Sequence, residues 1–258
     1  MSIQLTKEQL DSYVLSDGTT IMTTVTNHGY LLYTLNMLKS LKPFGLDHRM
    51  LILCLDRRGA DILEKKGYRV VCIDHSIARF CPWNTKGYDQ ICYLKMELVY
   101  RILSCNKNVL LVDGDIVFLQ DPMRDVLTWQ NEKGEVWIQN DAQTNQDTTN
   151  LCTGYLYLRS SPRMIRLYDC VSSAGQEKYK SCAFDNNDQT YFNQYVKPYC
   201  KVNALPVEQY PNGKMFYDHL KSVQPDMILV HFNWVKGHLK MAKMKEHRLW
   251  LLTDEEEY

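Results

Sequence analysis

The sequence lacks an excess of either charge: thirty acidic residues face thirty basic ones. That balance removes the broad positive field on which binding to nucleic acid or an anionic membrane relies, so neither is expected as a partner. Residues 1–17 contain no long apolar run, so no signal peptide or membrane anchor is read there. The nine cysteines (Cys54, Cys72, Cys81, Cys92, Cys105, Cys152, Cys170, Cys182, Cys200) include no C-x-x-C pair. They are odd in number and stand singly, which argues against a zinc or disulfide framework. Cys54 and Cys72 lie inside apolar runs, where a thiol serves as a small core residue. Reduced cysteines in a cytosol-like compartment are the expectation. Repeats, low-complexity stretches and linkers are also missing, so the 258 residues read as one continuous domain.

Against these absences stands Val109-Leu110-Leu111-Val112-Asp113-Gly114-Asp115. The apolar run reads as a strand buried on both faces of a parallel sheet. The acids then fall at its C-terminal end, where open α/β sheets bind ligands. Acids at i and i+2 of an extended chain point the same way and can face one cation. Alone, such a D-x-D is weak evidence, because solvated turns carry it too. A dehalogenase-type D-x-D would continue with glycine and threonine, and here Ile116-Val117 follows.

Strands are expected at 19–25, 50–55, 69–73 and 109–112, with helices at 31–41, 60–66 and 91–104 between them. Short connections make these strands parallel, joined by right-handed crossovers. Residues 81–90 read as a loop. Further strands are expected at 135–139, 154–159, 202–205 and 227–230, the last ending at His231. Residues 141–150 read as a polar loop. Helices are expected at 161–171, with Ser161 as N-cap and Pro162 at its first position, and at 188–195. Tyr155 and Tyr157 alternate on one strand face and read as core.

Five segments in order then specify the chemistry. They are Lys95 in Tyr93-Leu94-Lys95-Met96; the D-x-D strand running on to Asp121-Pro122; Cys152-Thr153-Gly154 leading to Arg159; Asp188-Gln189 with Phe192-Asn193; and His231-Phe232-Asn233 with Gly237 and Lys240. From about residue 20 to 241 the chain resembles the nucleotide-diphospho-sugar transferases, glycosyltransferases of the GT-A fold grouped as family 77. It departs at Cys152, where that family usually has asparagine.

The resemblance implies a single GT-A domain over 1–258, with a mixed, mostly parallel sheet flanked by helices. It has a nucleotide-binding half near 18–122 and a sugar and acceptor half near 123–245. It implies a metal-dependent transferase, retaining in outcome, that moves a sugar from a nucleotide-sugar, a UDP-sugar for preference, to a hydroxyl of a glycan or glycoprotein acceptor. Asp113, Asp115 and His231 would hold Mn²⁺ or Mg²⁺, since oxygen and imidazole ligands together suit these ions. Lys95, Asn233, Gly237 and Lys240 would meet phosphate or sugar oxygens, and Gly114 would let backbone approach ribose or phosphate. Thr24, Thr26, Asn27, Tyr30 and Asp56 would line the base and ribose; Asp56 reads equally as a helix cap. Asp188 and Gln189, then Asp141, are the candidates for the catalytic, sugar-facing side. Relatives are commonly Golgi-type enzymes with an anchor, so a trimmed luminal domain is the alternative to a cytoplasmic protein. Two rival functions use the same residues: a nucleotidyl or phosphoryl transferase, and a nucleotide-sugar-binding protein that has lost catalysis. One geometric expectation follows. The Asp115 carboxylate and the His231 ring should lie about 3 to 5 Å apart, since ligand bonds run about 2.0 to 2.3 Å.

Overall fold

The apolar run of 109–112 becomes β4 (Asn108–Val112), and it lies at the middle of the protein. The computed structural model describes residues 3–75, 77–182 and 187–256. Strands β1 (Thr20–Thr26), β2 (Leu51–Cys54), β3 (Val70–Cys72), β4, β6 (Val136–Asn140), β7 (Leu151–Leu158) and β8 (Val202–Leu205) form one sheet. Its order is β3-β2-β1-β4-β7-β6-β8. The pairs β1–β2, β1–β4, β2–β3 and β6–β8 are parallel, and β7 runs antiparallel to both its neighbours. The remaining strands, β5 (Ile116–Phe118) and β9 (Leu229–His231), pair antiparallel as a separate ribbon. Helices α1 (Lys7–Asp11), α2 (Leu31–Leu41), α3 (Arg57–Lys65), α4 (Lys86–Ser104), α5 (Met123–Asn131), α6 (Pro162–Tyr168), α7 (Ser173–Lys180), α8 (Asp188–Tyr191) and α9 (His238–Glu246) complete the architecture.

The sheet is buried on both faces, and its side chains alternate accordingly. Val109 and Leu111 of β4, with Leu156 and Leu158 of β7, pack into one core with Leu94, Leu98 and Ile102 of α4. Leu110, Val112, Tyr155 and Tyr157 face the opposite core, with Leu35 and Leu38 of α2 and Trp129 of α5. A third cluster under the ribbon joins Val117, Val230, Phe216 and Phe232. Tyr155 and Tyr157 are fully buried, as their alternation predicts.

Three elements depart from expectation. Helix α4 begins at Lys86, because Thr85 caps it by accepting from the Tyr88 amide at 3.4 Å; 81–90 is therefore not all loop. Strand β7 begins at Leu151, so Cys152 and Thr153 belong to the sheet. The expected helix at 188–195 is a four-residue α8 followed by a π turn, Phe192–Val196. No helix among the described residues is long and apolar enough to cross a membrane.

Candidate active site

The site forms where β4 leaves the sheet. The Asp113 amide donates to Gly154 O of β7 at 2.7 Å, which continues the β4–β7 pairing by one residue. The chain turns at Gly114, and Ile116 then pairs with His231 across the ribbon. The Phe232 amide donates to Asp115 O at 3.0 Å. Backbone pairing thus brings a histidine from near the chain's end beside two acids from its middle. His231 Nε2 lies 3.3 Å from Asp115 Oδ1 and 3.9 Å from Asp113 Oδ2. The Asp115 to His231 separation falls within the 3 to 5 Å expected from the sequence.

The histidine tautomer follows from its neighbours. Gln139, fully buried at the end of β6, donates its amide NH₂ to Tyr210 O at 3.0 Å and Pro211 O at 3.1 Å. Both amide hydrogens are spent on carbonyls, so Gln139 Oε1 is the atom that faces His231 Nδ1, at 2.7 Å. Nδ1 must then carry a hydrogen, and Nε2 is the ring atom turned to the acids. Gly154 keeps the space open: a Cβ there would lie 2.3 Å from His231 Cε1 and 2.9 Å from Asp113 Oδ2. Two carboxylate oxygens and one imidazole nitrogen within 4.8 Å of one another make a donor set that fits Mn²⁺ or Mg²⁺.

Two buried lysines neutralise the acids. Lys95 Nζ lies 2.7 Å from Asp113 Oδ1 and 2.8 Å from Asp188 Oδ2, and Thr153 Oγ1 donates to Asp188 at 2.7 Å. Burial opposes charge on Lys95, but Asp113 and Asp188 outweigh it and raise its pKa well above the ordinary value. Burial likewise opposes ionisation of Asp188, and Lys95 with its hydrogen bonds overcomes it, so Asp188 titrates below the usual range. On the other side Lys240 Nζ is hydrogen-bonded to Asp115 Oδ2 and donates to Tyr30 Oη at 2.9 Å. Burial works against Asp115 too, yet Lys240 and His231 hold its carboxyl far below the usual range. Three carboxylates face two ammonium groups, which leaves a net negative charge for a cation to balance.

Asp141 gathers a second constellation. Its Oδ1 accepts from Trp234 Nε1 at 3.0 Å and Asn233 Nδ2 at 3.2 Å; its Oδ2 accepts from Asn150 at 3.1 Å and Gln189 at 3.2 Å. Burial raises the Asp141 pKa against the pull of these bonds. Cys152 Sγ lies 3.8 Å from His231 Nδ1, a neutral thiol whose pKa burial pushes well up. The asparagine expected at that place is thus replaced by an apolar-sized neighbour of the histidine.

Several expected contacts take another form. Asp56 spends both oxygens on backbone, accepting from the His28 amide at 2.7 Å and the Gly59 amide at 2.8 Å, and so caps α3. Gly114 gains a further reason: a Cβ there would strike Thr34 Oγ1 at 2.6 Å, so the glycine lets the turn pack on α2. Thr26 bonds Thr34 at 2.7 Å, and Asn27 caps the turn at Tyr30. Among the described residues Thr24 Oγ1 is buried with no hydrogen-bond partner. Gly237 adopts φ +52 and accepts from Tyr33 Oη at 3.0 Å, which sets the entry to α9 and hence Lys240. Gln139 and Trp234 were not singled out from the sequence. A glutamine ending an otherwise apolar strand was the available signal for the first.

The sequence profile of the nucleotide-diphospho-sugar transferases matches residues 45–249. A UDP-galactose:fucoside alpha-3-galactosyltransferase of Dictyostelium discoideum is 25% identical, over 89% of this chain and 43% of its own length. This chain therefore spans less than half of that relative. A UDP-D-xylose:L-fucose alpha-1,3-D-xylosyltransferase of Arabidopsis thaliana is 22% identical, over 96% of this chain and 74% of its own. Among solved structures, mouse xyloside xylosyltransferase 1 superposes with TM-score 0.52 at 12% identity, covering 84% of this chain and 97% of that one. A glycosyltransferase involved in the glycosylation of the major capsid of PBCV-1 gives TM-score 0.52 at 10% identity, covering 88% of this chain and 99% of that one. The fold is the GT-A fold expected from the sequence.

Proposed function

We infer the function from one fact: the chain belongs to the nucleotide-diphospho-sugar transferase family. It is a glycosyltransferase on our reading, moving a hexose or pentose from a nucleotide diphosphate to an acceptor hydroxyl. The names of its relatives support UDP-galactose or UDP-xylose as donor and a fucose-bearing glycan as acceptor. The observation that carries the reading is the meeting of Asp113, Asp115 and His231 at the end of β4. A divalent cation bound there would supply Lewis-acid neutralisation of the charge that gathers on the departing diphosphate.

The chain's own residues do the rest. The nucleotide-binding half, near 18–122, offers Thr24, Thr26, Asn27 and Tyr30 to base and ribose at the end of β1. Lys240, held by Asp115 and Tyr30, would be free to meet a phosphate oxygen if a cation were held at that carboxylate. Lys95 stays fixed between Asp113 and Asp188. Asp188, ionised beneath it, provides the negative field that favours an oxocarbenium-like sugar. Gln189, Asp141 and Asn233 position the sugar and the acceptor. With retention, the departing phosphate oxygen takes the acceptor hydroxyl proton as the C1–phosphate bond breaks and the new C1–oxygen bond forms on the same face. The free thiols support a reducing compartment.

The test is incubation with UDP-galactose and UDP-xylose, Mn²⁺ and methyl α-L-fucopyranoside. Release of UDP with a disaccharide product, abolished by EDTA, is expected. Release of a sugar 1-phosphate, with the uridylyl group passed to the acceptor, would place the chain among nucleotidyl transferases instead.

A further inference from the structure

The protein's five tryptophans differ in their surroundings. Trp129 and Trp137 stack on each other, Trp250 meets the edge of Tyr33, and Trp83 lies under the Lys236 ammonium. Trp234 is 59% exposed, and among the described residues no ring or cation packs on it. It also adopts φ +62, a left-handed conformation that a bulky side chain rarely takes. The residue before it is clamped. Asn233 Oδ1 accepts from the Gly213 amide at 2.6 Å, Asn233 O accepts from Tyr217 Oη at 3.3 Å, and Asn233 Nδ2 reaches Asp141. A Cβ on Gly213 would lie 2.1 Å from Asn233 O, so that glycine is shaped to the clamp. The strain is imposed, and its result is an indole held in the open at the edge of the site.

The indole is also oriented. Its single polar atom, Nε1, is spent on Asp141 Oδ1 at 3.0 Å. What the ring has left to offer is apolar. Immediately beside it stand Asp141, Asn150 and Gln189, joined to one another by hydrogen bonds. An apolar plate bordered by a few convergent polar groups is the composition of a small-molecule site, and a pyranose has one C–H face and a rim of hydroxyls.

We propose that Trp234 is the platform of the acceptor subsite, taking a galacto-configured, 6-deoxy pyranoside by its apolar face while Asp141, Asn150 and Gln189 hold its hydroxyls. This rests on the glycosyltransferase reading above. The galacto configuration gathers the hydrogens of C3, C4 and C5 on one face, and a 6-deoxy sugar adds a methyl group instead of a hydroxyl. An indole with no donor left to spend favours that sugar over a glucoside, whose C6 hydroxyl would find no partner on the plate.

The test uses the whole chain with Mn²⁺ and UDP, and methyl α-L-fucopyranoside and methyl α-D-glucopyranoside as probes. Saturation-transfer NMR, irradiating aromatic protons, should mark H3, H4, H5 and the C6 methyl of the fucoside most strongly. Binding of the fucoside should weaken about 10-fold or more in Trp234→Ala and be largely restored in Trp234→Phe. Far-ultraviolet circular dichroism of both variants separates loss of the plate from loss of the fold. If Trp234→Ala binds the fucoside as well as the unaltered chain, or if saturation spreads evenly over the sugar, the platform is overturned. If the unaltered chain releases UDP from a UDP-sugar and Trp234→Ala transfers sugar to the fucoside equally well, only this inference falls. If it turns over no UDP-sugar at all, the activity reading falls with it.

Discussion

The two lysine–carboxylate pairs of the site have the same chemistry and different architecture. Lys95 lies midway along α4, a nineteen-residue helix packed on the sheet, and it serves two acids, Asp113 and Asp188. Lys240 lies in the first turn of α9, just past a glycine with φ +52, and it serves Asp115 and a phenol. On the metal-site reading proposed above, a cation at the acids would replace what Lys240 gives Asp115. It would replace only half of what Lys95 does, because Asp188 remains buried and in need of a partner. The comparison separates a charge that builds the site from a charge that is released to work in it.

The largest effect tests whether both pairs frame one metal site. Asp113→Asn and Asp115→Asn should each lower UDP release about 1,000-fold, measured by coupled assay at saturating Mn²⁺. Unchanged turnover in both would remove the site altogether. The next effect tests the difference between the lysines. Lys95→Met leaves the buried Asp188 and the partly exposed Asp113 short of a partner and should cost about 3–5 kcal/mol in urea unfolding without metal. Lys240→Met leaves Asp115 with His231 and should cost about 1–3 kcal/mol. Saturating Mn²⁺ should recover most of the loss in Lys240→Met and little of it in Lys95→Met; equal recovery would erase the distinction.

A smaller effect concerns the orientation of His231. Gln139→Leu should weaken Mn²⁺ binding about 10- to 100-fold by removing the acceptor for Nδ1–H, read by electron paramagnetic resonance of free Mn²⁺. Affinity within two-fold of the unaltered chain would detach Gln139 from the site.

The smallest effect is a pH dependence at Asp141. Burial raises its folded pKa, so the folded chain holds a proton there that the unfolded chain has released. Stability contributed at this residue therefore falls as pH rises from the unfolded value of about 4 through the raised folded value. Asp141→Asn should gain stability over the unaltered chain at pH 6.5 and lose that advantage at pH 4, by urea midpoints. An advantage that grows on acidification would reverse the sign.

The parts legible in the sequence were those with enough length or contrast to leave a pattern. Val109–Val112 is apolar throughout because both sheet faces are covered, and Leu94, Leu98 and Ile102 repeat at helical spacing because α4 has one buried face. His231 was legible as a partner of Asp115 through the family resemblance carried by His231-Phe232-Asn233 with Gly237 and Lys240. What was not legible depends on pairing across the chain. The ribbon of β5 and β9 has three residues a side, too few for periodicity. Gln139 gains its meaning only from two carbonyls some seventy positions later. Asp56 was legible as a helix cap, whereas the packing of Gly114 on α2 shows only in the fold.

The ribbon also bears on how the protein is made. Asp115 and Lys240 are separated by 125 residues, and Gln139 and His231 by 92. During synthesis the sheet strands β1 to β8 emerge first, and the two acids wait beside each other with their histidine still inside the ribosome. Such distant closures are slow relative to helix formation, because the loop entropy falls due before any contact rewards it. The central sheet can therefore assemble as an early body, while the last strand to arrive brings His231 to Asp113 and Asp115. A nascent chain halted short of Leu229 would carry the sheet strands and both acids without their histidine, so the three donors meet only on completion of the fold.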